Sequence, residues 1–346
     1  MNFDPDVAAK VNAETDPEPF RQRVWVLADP RAGTAAQAIA VAEALGADFK
    51  AIPLDYSWMA ALPNQLLGAS FRGIAPEVRR EIAPPWPHIV IAAGRRAAPV
   101  ARAIKKRAAD ENSRPFLVQI MYPGSVGLAD FDLVAVPEHD QVAPASNILP
   151  IIGAPHRMTP SRLEKARQEW QPRWLDIPAP RVALLVGGAT RRRKFTGAMA
   201  AALGKETAQL VRQLGGSLMM TTSRRTGNDA TLALSKALSA AGVEPQRFHR
   251  WGDPGDNPYD GLLACADVIV VTGDSVSMCC EACAAGTPVY IFAPPGFASE
   301  RHQRLHQELY RLGVAQPLGG EAAASNHPPF NPAADIAREI RRRIGV

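Results

Sequence analysis

A chain of 346 residues, 47% hydrophobic and 21% charged, is long enough for two compact domains and too apolar to be disordered throughout. Its formal charge of +5 suits phosphorylated ligands or an anionic membrane surface. The basic clusters (Arg191 to Lys194, Arg224–Arg225 and Arg341 to Arg343) are short and lack a stacking aromatic series, which argues against nucleic acid as a partner. No apolar run approaches the roughly 20 residues that cross a bilayer.

Residues 1–20 are acidic and proline-containing, without the basic start and apolar stretch of a signal peptide, and read as a disordered lead-in to a cytoplasmic protein. The first strand is expected over 23–29, followed by a helix over 35–46 and a short strand over 49–54. A buried strand over 87–94 runs into an amphipathic helix over 95–110. Strands over 115–121, 131–137 and 147–153 complete a first α/β unit. Residues 159–180 turn from helical to proline-rich and read as an interdomain connection. The alternation then restarts: strands over 181–188, 217–223, 247–252 and 267–273 with helices between them, then a small-residue helix, a further strand near 287–293 and a terminal helix capped near Asn331. The expected architecture is therefore α/β, with two Rossmann-like domains facing a cleft: residues 21–178, residues 179–330, and a helix over 331–346 returning to the first domain. Cys265, Cys279, Cys280 and Cys283 have no second ligand pair near them, so they read as buried thiols rather than a zinc or redox site.

In such sheets ligands bind beyond the carboxyl ends of the strands, so the residues just after each strand are the candidates. In the first unit these are Asp29, Gly33 and Thr34, then Gly94 and Arg95, then His139. In the second they are Gly187, Gly188 and Thr190, then Ser223, Arg224 and Arg225, then Asp274, Ser275 and Ser277. "GGAT" at 187–190 predicts a turn whose free backbone N–H groups meet a phosphate, with the arginines that follow adding charge. Ser275 and Ser277 can cap the next helix and donate to a ligand. Glu281 lies one to two turns inside that helix among Cys280, Ala282 and Cys283, where a carboxylate could reach ribose hydroxyls. No G-x-G-x-x-G, Walker A or G-x-S-x-G motif is present, and Tyr122, Tyr259 and Tyr290 have no lysine four positions on. Nicotinamide oxidoreductase, P-loop ATPase and α/β-hydrolase readings are thereby disfavoured.

"TGDSVSMCCEACAAGTPVYIF" resembles the nucleotide-sugar segment of two-domain GT-B glycosyltransferases. Together with "GGATRRRKF", "TTSRRT" and "VPEHD", it is similar to the mitochondrial fission ELM family, over roughly residues 21 to 320. The resemblance implies a metal-independent glycosyltransferase of GT-B type. The second domain would hold a nucleotide-sugar, UDP-linked as first candidate, as substrate rather than cofactor. The first domain would hold an acceptor that the sequence does not name, with the membrane surface as one source and peripheral attachment as its consequence. Gly33, Thr34, Gly94 and Arg95 would form the acceptor side. A general base is then needed for an acceptor hydroxyl; Asp29 and His139, at strand ends of the first unit, are the candidates, with His156 a third. The plant members open an alternative, a non-catalytic nucleotide- or partner-binding protein.

Overall fold

The computed structural model describes residues 20–320 and 326–346; the expected lead-in falls, apart from Phe20, outside them. The first unit contains β1 (Phe20–Ala28), α1 (Ala32–Ala44), β2 (Ala47–Pro53), α2 (Asn64–Leu67), α3 (Pro76–Glu81), β3 (Ile89–Ala93), α4 (Ala98–Asp110), β4 (Phe116–Ile120), β5 (Leu133–Pro137) and β6 (Ile148–Ile151). Its six strands are parallel, in the order β2-β1-β3-β4-β5-β6. β3 is the unbroken apolar run "IVIAA", buried at every position, as a strand covered on both faces must be.

The second unit begins after α5 (Pro160–Trp170), which is capped by the Thr159 hydroxyl. It contains β7 (Arg181–Val186), α6 (Gly197–Leu214), β8 (Ser217–Thr222), α7 (Asn228–Ala240), β9 (Pro245–His249), α8 (Tyr259–Cys265), β10 (Val268–Thr272), α9 (Val276–Cys283), β11 (Val289–Phe292), α10 (Glu300–Arg311) and β12 (Gln316–Pro317). These strands are also parallel, in the order β12-β11-β10-β7-β8-β9. α11 (Pro332–Ile344) returns to the first unit. Its Ile336 and Ile340 are buried with Val41 and Leu45, and Arg341 donates to the Leu45 carbonyl at 2.7 Å.

The short elements α2, α3 and β12 have no counterpart among the expected ones, and two larger features also depart from expectation. α1 starts at Ala32, so Gly33 and Thr34 belong to its first turn rather than to a preceding loop. α10 has no counterpart among the expected elements. It buries His306 between Leu305 and Leu309, and a histidine on the inner face breaks the apolar periodicity by which such a helix is read.

Two segments cross between the domains, and they run side by side. His156 Nε2 lies 3.0 Å from the Phe330 carbonyl, and the Asn331 amide donates to the His156 carbonyl at 2.9 Å. Both segments also rest on α9. The Ala154 N–H meets Cys280 Sγ at 3.3 Å, and the Phe330 N–H donates to the Cys283 carbonyl at 3.3 Å. The cysteines of α9 are thus fully buried packing groups, and burial pushes the Cys280 thiol up to about 12.

Gly153 is where this packing is tightest. Its φ is +75°, and a Cβ there would lie 2.5 Å from Cys280 Sγ. Gly153→Ala is expected to cost about 2–4 kcal/mol in urea unfolding, from overlap and left-handed backbone together. Adding Cys280→Ala should return about 1–2 kcal/mol relative to the sum of the single changes. Strict additivity would show that the two residues do not touch.

Candidate functional site

In the second sheet the strand order reverses between β7 and β10, and the crevice at that switch point is where doubly wound sheets bind ligands. The loops after β7, β8 and β10 meet there around one carboxylate. Asp274 is 2% exposed. Its Oδ2 accepts from the Gly188 N–H at 3.0 Å and from Arg225 at 2.6 Å. Its Oδ1 is buried with no partner among the described residues. A Cβ at Gly187 would collide with this carboxylate, and one at Gly188 with the Arg225 backbone, so the pair of glycines is required for the approach of three loops. The Gly187 N–H donates to Thr272 Oγ1 at 2.7 Å. Ser223 and Thr226 both donate to the Gly187 carbonyl.

The amides of Gly187 and Gly188 therefore differ from the free phosphate donors that "GGAT" predicts. Both already have acceptors within the fold. Ser275 caps α9 by accepting from the Met278 N–H at 3.4 Å. Ser277 is half-buried and Arg224 exposed, and neither side chain has a partner among the described residues. Thr190 closes its loop through its N–H, 2.9 Å from the Arg193 carbonyl. Glu281 is held by Tyr259, whose hydroxyl donates to Oε2 at 2.6 Å. Burial raises the Glu281 pKa, with the Tyr259 hydrogen bond opposing.

α10 closes the crevice from above. His306 packs on Gly273, where a Cβ would lie 2.5 Å from the ring. His302 has its pKa lowered by burial and then by Arg301, with the Asp274 charge acting the other way. On its far side α10 meets the first domain at the end of β5. Arg301 pairs with Asp140 at 2.7 Å, and Arg304 donates to the His139 carbonyl at 3.0 Å. His139, expected as a base, is buried, and its Nε2 has no hydrogen-bond partner among the described residues, with Asp140 Oδ1 4.0 Å away. Burial, then Arg301, His302 and Arg304, push its pKa down to about 4. His139, Arg225 and Asp274 are thus gathered around α10, the helix that sequence reasoning omits. A signal for it exists in "ASERHQRLH", where Ser299 caps and histidines follow at a four-residue spacing. Tyr259 has no such signal.

In the first sheet the switch point lies between β1 and β3, and it is occupied by an ion cluster. Asp29 is bound by Arg31 at 2.8 Å and by Arg96 at 3.3 Å. Burial opposes its ionisation, but the Arg31 hydrogen bonds and the Arg96 charge prevail and hold the carboxyl below its ordinary range. That suits a fixed anion and not a proton acceptor. A Cβ at Gly94 would lie 3.3 Å from Thr34 and 3.5 Å from Arg31, so two of the acceptor-side candidates, Thr34 and Gly94, share this corner with Asp29, while a Cβ at Gly33 would have open space around it. Arg95 turns away. Its guanidinium donates to the carbonyls of Leu62 at 2.7 Å and Ala60 at 2.9 Å, which clamps the segment around α2. His156 sits at the domain crossing, buried against the Phe330 carbonyl.

Two doubly wound units facing a cleft define the GT-B architecture, and solved structures agree. UDP-GlcNAc 2-epimerase from Neisseria meningitidis, bound to UDP-GlcNAc, matches 93% of this chain and 100% of its own at TM-score 0.52 and 13% identity. Os79 from O. sativa in complex with UDP matches 93% and 91% at TM-score 0.50 and 14% identity. The family model described as mitochondrial fission ELM1 matches residues 32–344, and the chain belongs to that family. It is 30% identical to mitochondrial fission protein ELM1 of Arabidopsis thaliana over 306 residues, 81% of this chain and 69% of that one. It is 28% identical to the uncharacterized protein RP120 of Rickettsia prowazekii over 360 residues, 93% and 99% of the two chains. Among the described residues no helix is long and apolar enough to cross a membrane.

Two predictions follow from the electrostatics of this region. Asp274→Ala leaves Arg225 without its partner and the Gly188 N–H without an acceptor. The expected loss is about 2–4 kcal/mol, below the full figure for a buried pair because Arg225 keeps a third of its side chain in solvent. A loss under about 0.5 kcal/mol would show the pair to be dispensable. The second concerns His139, His156 and His306, each pushed down to about 4 mainly by burial, from an ordinary 6.5. Between those values the unfolded chain binds more protons than the folded one. The stability they contribute is therefore full above pH 6.5 and is lost as pH falls to 4, by up to about 3 kcal/mol per ring. A urea midpoint that stays level across this window would show the rings to be solvated.

Proposed function

We propose that the protein binds a nucleoside-diphosphate sugar, UDP-linked, in the crevice between β7 and β10, and transfers the sugar to an acceptor held by the first domain. The observation that carries this reading is the start of α9. The N–H groups of Val276 and Ser277 and the Ser277 hydroxyl have no partner among the described residues, and Asp274, just before them, brings in Arg225 and the neighbouring His302. The diphosphate then sits on the α9 N-terminus rather than on the Gly187–Gly188 turn, whose amides hold the loops together. Helix dipole and arginine charge offset the negative charge that grows on the leaving diphosphate. Glu281, steadied through one oxygen by Tyr259, offers the other to the ribose hydroxyls. That neighbours of the same fold are solved with UDP-GlcNAc or UDP bound supports a nucleotide-sugar as the ligand.

A second reading, binding without transfer, is favoured by one observation. Asp29 is doubly paired and His139 is held neutral with a depressed pKa, so neither is tuned as a general base at neutral pH.

Calorimetric titration with UDP, ADP and GDP tests the binding. UDP is expected to bind, and Glu281→Gln to weaken it by about 1–2 kcal/mol with the fold intact. The 2′-deoxy analogue should lose little further on that variant. No binding of any nucleoside diphosphate at millimolar concentration would sink the reading. Hydrolysis of UDP-GlcNAc, followed with and without candidate acceptors, separates the enzyme from the binding protein.

A further inference from the structure

A second cavity, of about 630 Å³, lies between the loop after β7 and the start of α10. Arg191, Arg192 and Arg193 line it from the loop, Arg301 and Arg304 from the helix, and Glu300 is its one acidic wall residue. Three of these arginines have structural tasks. Arg193 donates to the Gly296 carbonyl at 3.3 Å and ties the two rims together. Arg301 and Arg304 hold Asp140 and the His139 carbonyl of the first domain. Arg191 and Arg192 are exposed and have neither hydrogen bond nor ion pair among the described residues. Solvated arginines on a convex face would need no explanation. Here they converge on a concavity whose walls carry a large excess of positive charge, at the junction of the domains, where like charges repel until an anion enters.

We propose that this basic cavity, on the second domain's rim where it meets the first, is an anion site distinct from the crevice at α9, and that it takes a phosphate group carried by the acceptor whose sugar-accepting part the first domain holds. Guanidinium forks match phosphate oxygens in pairs, and several converging arginines favour a doubly charged phosphomonoester over a single carboxylate. Identifying the ligand as acceptor rests on the donor reading above; the anion site does not. His302 reaches both places, since it lines this cavity and feels the charges of Asp274 and Arg225. A phosphate held here therefore lies next to the donor. The same chemistry is found on soluble phosphate esters and on lipid headgroups.

The experiment titrates inorganic phosphate into the full chain, with UDP absent and saturating, for the wild type and for Arg191→Ser/Arg192→Ser. Both changed side chains are exposed and unpartnered, so the melting temperature should hold. Expected are phosphate binding that persists with UDP present, and a loss of about tenfold or more in phosphate affinity in the double variant, with UDP affinity retained. Equal phosphate affinity in both proteins, or no phosphate binding by the wild type, would overturn the site. Competition by UDP together with an equal loss of UDP affinity would also overturn it, by assigning the arginines to the donor crevice. Phosphate binding without any UDP binding would leave the site standing and remove only the donor reading. Cosedimentation with phosphatidylcholine vesicles, with and without phosphatidic acid, identifies the source. Retention that needs phosphatidic acid and is lost in the variant supports a lipid phosphate; phosphate binding without retention supports a soluble ester.

Discussion

The buried carboxylate of Asp274 is the constraint on which the second domain's working edge depends. A charge placed beyond the reach of water must be met by partners, and here they come from two other strand ends. The Gly188 N–H arrives from β7 and the Arg225 guanidinium from β8. Each partner in turn needs space. That space comes from the absence of side chains at Gly187 and Gly188, and Thr226 reinforces the arrangement through the same carbonyl that Ser223 uses. The crevice is thus a consequence of neutralising one charge. Its polar residues are divided between those that build the corner and those left over, at the start of α9, to meet something else.

The first domain uses the equivalent corner differently. Asp29 also sits at a switch point, but both of its partners are arginines, Arg31 from its own strand end and Arg96 from the end of β3. The result is a closed ion cluster beside the Tyr56 ring, on which Arg96 stacks at 4.2 Å. Two domains of one topology therefore have edges of different character. One has donors to spare, and in the other the charges are paired within the cluster.

Much of this was legible in the sequence. Unbroken apolar runs such as 89–93 and 268–271 mark buried parallel strands, and the rule that ligands gather beyond strand ends leads directly to Gly187, Arg225, Asp274 and Asp29. What one-dimensional reading cannot supply is partnership. The Gly188 and Asp274 groups are separated by 86 positions, and Asp29 and Arg96 by 67. Arg95 and Arg96 are neighbours in sequence, yet successive side chains in a turn diverge, and one clamps a loop while the other closes the ion cluster. α10 escapes because its inner face carries histidines where apolar residues are expected. The start of α1 shifts because Arg31 precedes it without a side-chain cap.

α9 has two sides with different mechanical roles. Its first turn fronts the crevice, while Cys280 and Cys283 bear on both chain crossings. The back of the molecule is therefore held by buried packing on the α9 cysteines and by hydrogen bonds between the two crossings. Across the opening, the domains are fastened by Arg301 and Asp140, of which the arginine is nearly half exposed, a kind of contact that dissolved ions screen. Such a body behaves as a book with a glued spine and a loose clasp. Ionic strength is therefore expected to loosen the fore-edge, beside the basic cavity, before it loosens the spine.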